Sequence, residues 1–319
     1  MKEERLKQEE QSRYDLLENC RLCPRECGVN RNLGQQGRCH SDSTVQVARA
    51  ALHMWEEPCI SGKEGSGAVF FSGCSLGCIY CQNQEISGGK AGRKISVERL
   101  AEIFLELQEQ RANNINLVTA GHYVPQVCDA LRRAKQKGLA IPVVYNSSGY
   151  EKTETLRLLE GLVDVYLPDF KYLDPQLAGA YSGAGDYPET ARSAIAEMVR
   201  QQPQPVFDSR GMMISGVIVR HLLLPGHVKE AKSIIQYLHR EYGDRIYISM
   251  MNQYTPMERV SSDPLLGRCV TKREYERFLS FAEEIGVGQG FYQEGKTSEE
   301  SFIPPFDCRG VLADERNGV

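Results

Sequence analysis

The stretch Gly73-Cys74-Ser75-Leu76-Gly77-Cys78-Ile79-Tyr80-Cys81 places three cysteines within eight residues, spaced Cys-x3-Cys-x2-Cys. No other stretch constrains the chain as much, because thiolates this close can converge on one metal centre that the fold must then accommodate. A zinc site usually takes four tetrahedral ligands, and a cubane iron–sulfur cluster usually takes four cysteines. Three leave one iron with an open position, where a substrate or cofactor can bind. Gly73 and Gly77 suit a loop that bends around a bulky group, since glycine adopts positive φ without steric cost.

The loop follows the first of six short apolar runs that alternate with helical patterns. The runs are residues 68–72, 115–119, 140–145, 163–167, 216–223 and 245–250. Helical spacing of apolar residues marks 96–111, 125–137, 153–162, 189–201 and 229–242. A last helix, 271–285, opens with a capping box, Thr271-x-x-Glu274. Strands alternating with helices imply parallel βα units. Six of them predict an α/β fold, a partial (β/α)6 barrel. Three regions are expected: an N-terminal cysteine-rich segment (1–62), the barrel (63–290) and a C-terminal tail covering the barrel rim (291–319). Residues 4–18 read as a short charged helix and 45–52 as a strand.

The N-terminal segment carries Cys20-Arg-Leu-Cys23-Pro-Arg-Glu-Cys27 and then Gly37-Arg-Cys39-His40, four cysteines within twenty residues. It has too little apolar surface to fold alone, and a metal would supply the missing stability. Cys20, Cys23, Cys27 and Cys39 therefore stand as candidate ligands of zinc or of a second iron–sulfur cluster. The alternative is that these thiols only pack against the barrel.

Composition narrows the setting. With 41% hydrophobic and 25% charged residues, the chain has the make-up of a soluble globular protein. A net charge of −4 gives no footprint for nucleic acid. The first nineteen residues have no apolar core and do not read as a secretory signal. No apolar run reaches the roughly 20 residues a membrane span needs. Clustered cysteines in such a chain read as metal ligands and not as disulfides, in a reducing cytoplasm.

In parallel barrels the site lies at the C-terminal ends of the strands. There the sequence offers Cys74, Cys78 and Cys81; then Gly121, His122 and Tyr123; Asn146, Ser147, Ser148 and Gly149; Asp169 and Lys171; Arg220 and His221; and Asn252, Gln253 and Tyr254. Polar groups at so many strand ends argue for a large ligand held across the barrel mouth, and against a simple electron carrier. Arg220 suits a carboxylate, because guanidinium geometry favours bidentate contact. The plain alternative for Asp169 and Lys171 is a strand-end salt bridge, worth little if exposed.

Cys-x3-Cys-x-aromatic-Cys, with Tyr80 as the aromatic, resembles the signature of radical S-adenosylmethionine (SAM) enzymes. Gln82-Asn83 after it and Phe70-Phe71-Ser72-Gly73 before it are similar to pyruvate formate-lyase activating enzyme-like proteins, as is the N-terminal string from Cys20 to Arg31. The resemblance implies a [4Fe-4S] cluster on Cys74, Cys78 and Cys81, and SAM chelated to the open iron. It implies a 5′-deoxyadenosyl radical that abstracts hydrogen from a substrate, by analogy a glycine of a glycyl-radical enzyme. A flavodoxin or ferredoxin-type reductant would supply the electron. Activases of that kind carry Asp-Thr-Asn-Gly where this chain has Asn146-Ser147-Ser148-Gly149, and Asp-x-Lys at Asp169-Phe-Lys171. By resemblance both strings line the SAM site, as does Gly121; Tyr80, Arg220 and His221 stand beside them as further candidate cofactor-binding residues. The Asn146 departure removes a carboxylate from any cation site there. The Glu-Pro expected after Gly121 is replaced by His122-Tyr123-Val124-Pro125. Gln82 to Leu100 lacks the cysteine-rich insertion common near true activases. Radical modification of a peptide or small molecule therefore stays open, as does a non-catalytic iron–sulfur or zinc protein.

Overall fold

Every residue of Ser66–Phe71 is buried, as in a strand covered on both faces, and this strand runs straight into the three-cysteine loop. The computed structural model describes residues 11–293 and 303–313. Ten strands form one sheet: β1 (Val45–His53), β2 (Ser66–Phe71), β3 (Arg93–Ile95), β4 (Ile115–Val118), β5 (Val143–Ser147), β6 (Val165–Pro168), β7 (Val206–Phe207), β8 (Met213–Leu222), β9 (Tyr247–Met251) and β10 (Gly290–Tyr292). Their spatial order is β10-β9-β8-β6-β5-β4-β2-β1-β3, with β7 beside β8. From β2 to β10 along that path all pairings are parallel. Among the described residues no pairing joins the two ends, so the barrel is partial.

Six longer helices connect or flank the strands: α1 (Val97–Glu109), α2 (Val124–Gln136), α3 (Pro175–Ser182), α4 (Tyr187–Gln201), α5 (Val228–Tyr242) and α6 (Lys272–Glu284). Their starts follow from local chemistry. Ser96 accepts from the Arg99 amide ahead of α1, Asp174 caps α3 with Pro175 in its first turn, and the Thr271–Glu274 box opens α6. Each cap contributes about 1 kcal/mol. The apolar stripes of these helices and the sheet form one large core.

Several boundaries differ from the sequence reading. The third parallel strand begins at Val143, because Pro142 has no N–H to give the ladder. The helix expected over 153–162 is regular only at Thr153–Arg157. α3 carries no strong apolar period and was not foreseen. Residues 290–292, which span the expected boundary between barrel (to 290) and tail (from 291), pair with β9 as a seventh parallel strand. β1, expected within the N-terminal segment, pairs antiparallel with β2 and is integral to the sheet. Of the charged helix expected over 4–18, residues 11–15 are helical; the part before residue 11 lies outside the described residues. The tail from 303 to 313 runs along β1: Cys308 donates to the Ala48 carbonyl, and Ala50 to that of Arg309.

Candidate cluster and cofactor site

Beyond β2 the chain turns at Gly73, φ +93°, where a Cβ would overlap the Cys39 carbonyl and the Ser41 hydroxyl. Only glycine fits there, and the approach presses the N-terminal segment onto the loop. Cys74, Cys78 and Cys81 all line one cavity of about 220 Å³. Burial raises the Cys74 thiol, and the Cys78 charge adds to it. Burial pushes the Cys81 thiol up to about 12, with Cys78 and Cys74 adding. Thiols this desolvated ionise only where a positive centre takes up the charge. The donor set therefore fits an iron–sulfur cluster. Among the described residues no three His, Cys, Asp or Glu side chains already close around one point, so the fit rests on the donor set and the shared cavity.

Opposite the loop, the strand ends supply a charged wall. Asp169 follows β6 and bonds Lys171 Nζ at 2.6 Å through Oδ2 and Arg220 Nε at 2.9 Å through Oδ1. Arg220, on β8, also donates to Asn146 Oδ1 at 2.7 Å and Glu56 Oε2 at 3.2 Å. Glu56 Oε1 accepts from Asn116 and Asn146. Asp169 and Lys171 lie on the same side, as strand alternation predicts, and both side chains are over four-fifths buried. Burial opposes the Asp169 charge, but Arg220 and Lys171 outweigh it and its carboxyl stays below the usual range. Burial likewise opposes the Lys171 charge, and Asp169 outweighs it to raise the ammonium. A salt bridge this enclosed is not the weak exposed pair. Gly149 lets the turn after β5 pass against this wall, because a Cβ there would overlap the Asp169 carbonyl. Thr119, at the end of β4, lines the cavity with φ +62°, a strained conformation for a β-branched residue.

A hydroxyl chain runs behind the cluster loop. The Tyr80 and Tyr172 phenols are 2.7 Å apart, Tyr172 and Ser182 2.9 Å, and Ser182 Oγ donates to Cys78 Sγ at 3.0 Å. Arg25, from the N-terminal segment, donates to the carbonyls of Ser75, Leu76, Ser182 and Gly183.

The cavity brings together Cys74, Cys78, Cys81, Tyr80, Asn146, Ser147, Asp169, Lys171 and Arg220. Gly121 and His221 do not line it. His221 follows Arg220 on β8, so alternation turns it to the opposite face, where its Nδ1 meets the Phe170 carbonyl at 2.7 Å and Phe278 packs on its ring. Burial lowers it to about 4. A Cβ at Gly121 would sit 2.6 Å from the Glu151 carboxylate, so that glycine serves packing. His122 is buried with Nε2 on the Ser72 carbonyl at 2.8 Å. Sequence reasoning missed Glu56 and Trp55, which line the mouth beside His53; the adjacent Glu56-Glu57 ahead of Pro58 was a usable signal. Of the N-terminal thiols, Cys20 and Cys39 are buried, Cys23 is partly buried and Cys27 is exposed. Burial pushes Cys23 up to about 12, and the nearby charges of Cys39 and Cys20 add. Cys27 Sγ accepts the Arg38 amide at 3.3 Å.

Comparison with known proteins adds the following. The family model of the radical SAM superfamily matches residues 68–238, just over half of the chain. An uncharacterized protein of Methanocaldococcus jannaschii is 27% identical over 281 residues, covering 86% of this chain and 77% of that one. A crystal structure of a domain of pyruvate-formate lyase-activating enzyme from Bacteroides vulgatus superposes with a TM-score of 0.39 at 13% identity, covering 54% of this chain and 92% of that one. Streptococcus suis SuiB bound to precursor peptide SuiA superposes with a TM-score of 0.47 at 11% identity, covering 70% of this chain and 46% of that one.

Proposed function

The chain belongs to the radical SAM superfamily, and we propose that it is an enzyme that abstracts hydrogen from a protein or peptide substrate, a glycine of a glycyl-radical enzyme in the first instance. Membership implies a [4Fe-4S] cluster and SAM. The observation that carries the reading is that three loop cysteines and the Asn146–Asp169–Lys171–Arg220 set face one cavity at the C-terminal ends of parallel strands.

Cys74, Cys78 and Cys81 would hold the cluster, three thiolates where four would close it. When bound, the cluster would supply the one-electron reduction by which SAM is cleaved to methionine and a 5′-deoxyadenosyl radical. Lys171 retains ammonium protons beyond the one given to Asp169, and these suit the SAM carboxylate or ribose oxygens. Asp169 holds Lys171 and Arg220 in place and keeps both charged. Tyr80, Ser147 and Asn146 complete the walls. Buried walls keep water from a reactive radical. Trp55, 57% exposed, and Ile303 and Pro304 of the tail line the mouth, an apolar rim that suits a polypeptide segment better than a small polar metabolite. The electron comes from a low-potential donor of the flavodoxin or ferredoxin type. Cys20, Cys23, Cys27 and Cys39 bind a second, structural metal, zinc or iron; burial and mutual proximity of three of them support this.

The test is incubation of the reconstituted protein with dithionite and SAM. Formation of 5′-deoxyadenosine, abolished by Cys78→Ala, is expected; normal cleavage by Cys78→Ala would sink the cluster assignment. Deuterium transfer from an α-deuterated glycine in a candidate protein or peptide into 5′-deoxyadenosine then tests the substrate.

A further inference from the structure

Ser182 is the last residue of α3, 1% exposed, and its hydroxyl reaches Cys78 Sγ at 3.0 Å. We propose that Ser182 is a positioning residue that sets the reduction potential of the cluster, through the hydrogen bond its hydroxyl gives to Cys78 with Tyr172 behind it. The proposal rests on Cys78 being a cluster ligand, as argued above.

Proton counting fixes the direction of the relay. A metal-bound thiolate can only accept. The single Ser182 proton therefore goes to Cys78. Tyr172, 2.9 Å from Ser182, must then give its proton to Ser182. Tyr172 also donates to Tyr80, 2.7 Å away, so its one proton is shared between Ser182 and Tyr80. All three hydroxyls are buried, and such chains polarise cooperatively in a low dielectric. The result is a donor aimed at one cluster sulfur with the Tyr172 dipole behind it. Reduction adds negative charge to the cluster and its sulfurs. A donor to sulfur stabilises that state more than the oxidised one and raises the potential.

The backbone holds this geometry in place. Arg25 grips the Ser182 and Gly183 carbonyls at 2.9 and 2.5 Å and the Ser75 and Leu76 carbonyls at 3.0 and 3.1 Å. One guanidinium thus ties the end of α3 to the loop that carries Cys74 and Cys78. The Ile79 amide also donates to the Tyr181 carbonyl at 2.9 Å. Ser182 and Tyr172 do not line the cavity, so their effect is on the electron and not on specificity.

The test is a redox titration of the reconstituted cluster, followed by electron paramagnetic resonance of the reduced form. Ser182→Ala should shift the midpoint to more negative potential. The ratio of reduced to oxidised cluster at fixed potential should fall about tenfold, equivalent to about 59 mV for a one-electron couple. Tyr172→Phe should shift it the same way by less, and Ser182→Thr should restore it. Ser182→Ala with normal iron content and an unchanged midpoint would overturn the proposal. Should Ser182→Ala hold no iron, an unchanged midpoint in Tyr172→Phe overturns it instead. If the wild-type protein takes up a cluster whose spectrum does not respond to SAM, the functional reading fails, while the shift in Ser182→Ala still decides the relay.

Discussion

Arg220 Nη1 donates to Glu56 Oε2 at 3.2 Å, tying β8 to the connection between β1 and β2 across the cavity mouth. Glu56 also accepts from Asn116 and Asn146. Truncation leaves two amides and one guanidinium short of an acceptor, though Asp169 still pairs with Arg220. Breaking a buried pair costs about 3–5 kcal/mol, and the remaining partner should hold Glu56→Ala near the lower figure. Glu56→Gln should cost less than half of that, because its amide oxygen still accepts. Burial and the Asp169 charge already raise the Glu56 carboxyl. Denaturant titration of both variants checks this; equal losses would show that the charge, and not the acceptor, is what matters.

Lys171 is the sharper probe of cofactor binding. Asp169→Ala would strip a carboxylate partner from both Lys171 and Arg220, leaving Arg220 only Glu56 and Asn146, and confound affinity with folding. Lys171→Met removes only the ammonium. A charged hydrogen bond is worth about 1.5–3 kcal/mol, so SAM should bind roughly ten- to a hundredfold more weakly. Iron content should stay normal, since Lys171 ligates nothing. Isothermal calorimetry with SAM on the reconstituted protein reads the effect. Unchanged affinity would make Asp169–Lys171 a structural pair only.

How far the sequence could be read depends on where the information is local. The Cys74–Cys81 loop and the Asp169–Lys171 pair are carried by spacing within a few residues, and both line the cavity. Arg220 was legible as a strand end; His221 was misplaced because strand alternation was not applied to it. Gly121 was assigned by likeness, whereas its constraint is the Glu151 carboxylate thirty residues on. Glu56 and Ser182 reach the site through long-range pairing; Glu56 had only the Glu56-Glu57-Pro58 string to mark it, and Ser182, on a helix with weak apolar periodicity, had no local pattern. β10 is three residues long, too short for a period.

Arg25 makes a prediction of its own. Its four carbonyl bonds and its stacking over the Tyr150 ring at 5.2 Å need a planar fork, which lysine lacks. Arg25→Ala should loosen the cluster loop. Iron loss to a chelator should speed up several-fold, and Arg25→Lys should behave more like alanine than like wild type. Cluster absorbance against time measures it. A wild-type rate in Arg25→Ala would show that the loop is held by its own backbone alone.

Stability should pass through a maximum near pH 6.5. Burial lowers His122 to about 3 and His221 to about 4, both well below the free value of 6.5. Each therefore binds fewer protons folded than unfolded between its folded pKa and 6.5. Stability rises with pH across that range and is lost on acidification. Glu151 acts with the opposite sign. Burial pushes it up to about 8 from 4.5, so the folded state holds one more proton than the unfolded state between those values. Stability falls with pH until about 8, at about 1.4 kcal/mol per pH unit for one proton. Below 6.5 four lowered histidines, His53 and His227 among them, outnumber the three raised carboxyls, Glu151, Glu56 and Glu57; above 6.5 only the carboxyl side remains. Glu151→Gln matches the protonated form in shape and should flatten the decline between pH 6.5 and 8 by about one proton. Thermal melts from pH 5 to 8.5 decide it. A decline just as steep in Glu151→Gln would place the linked proton on another group.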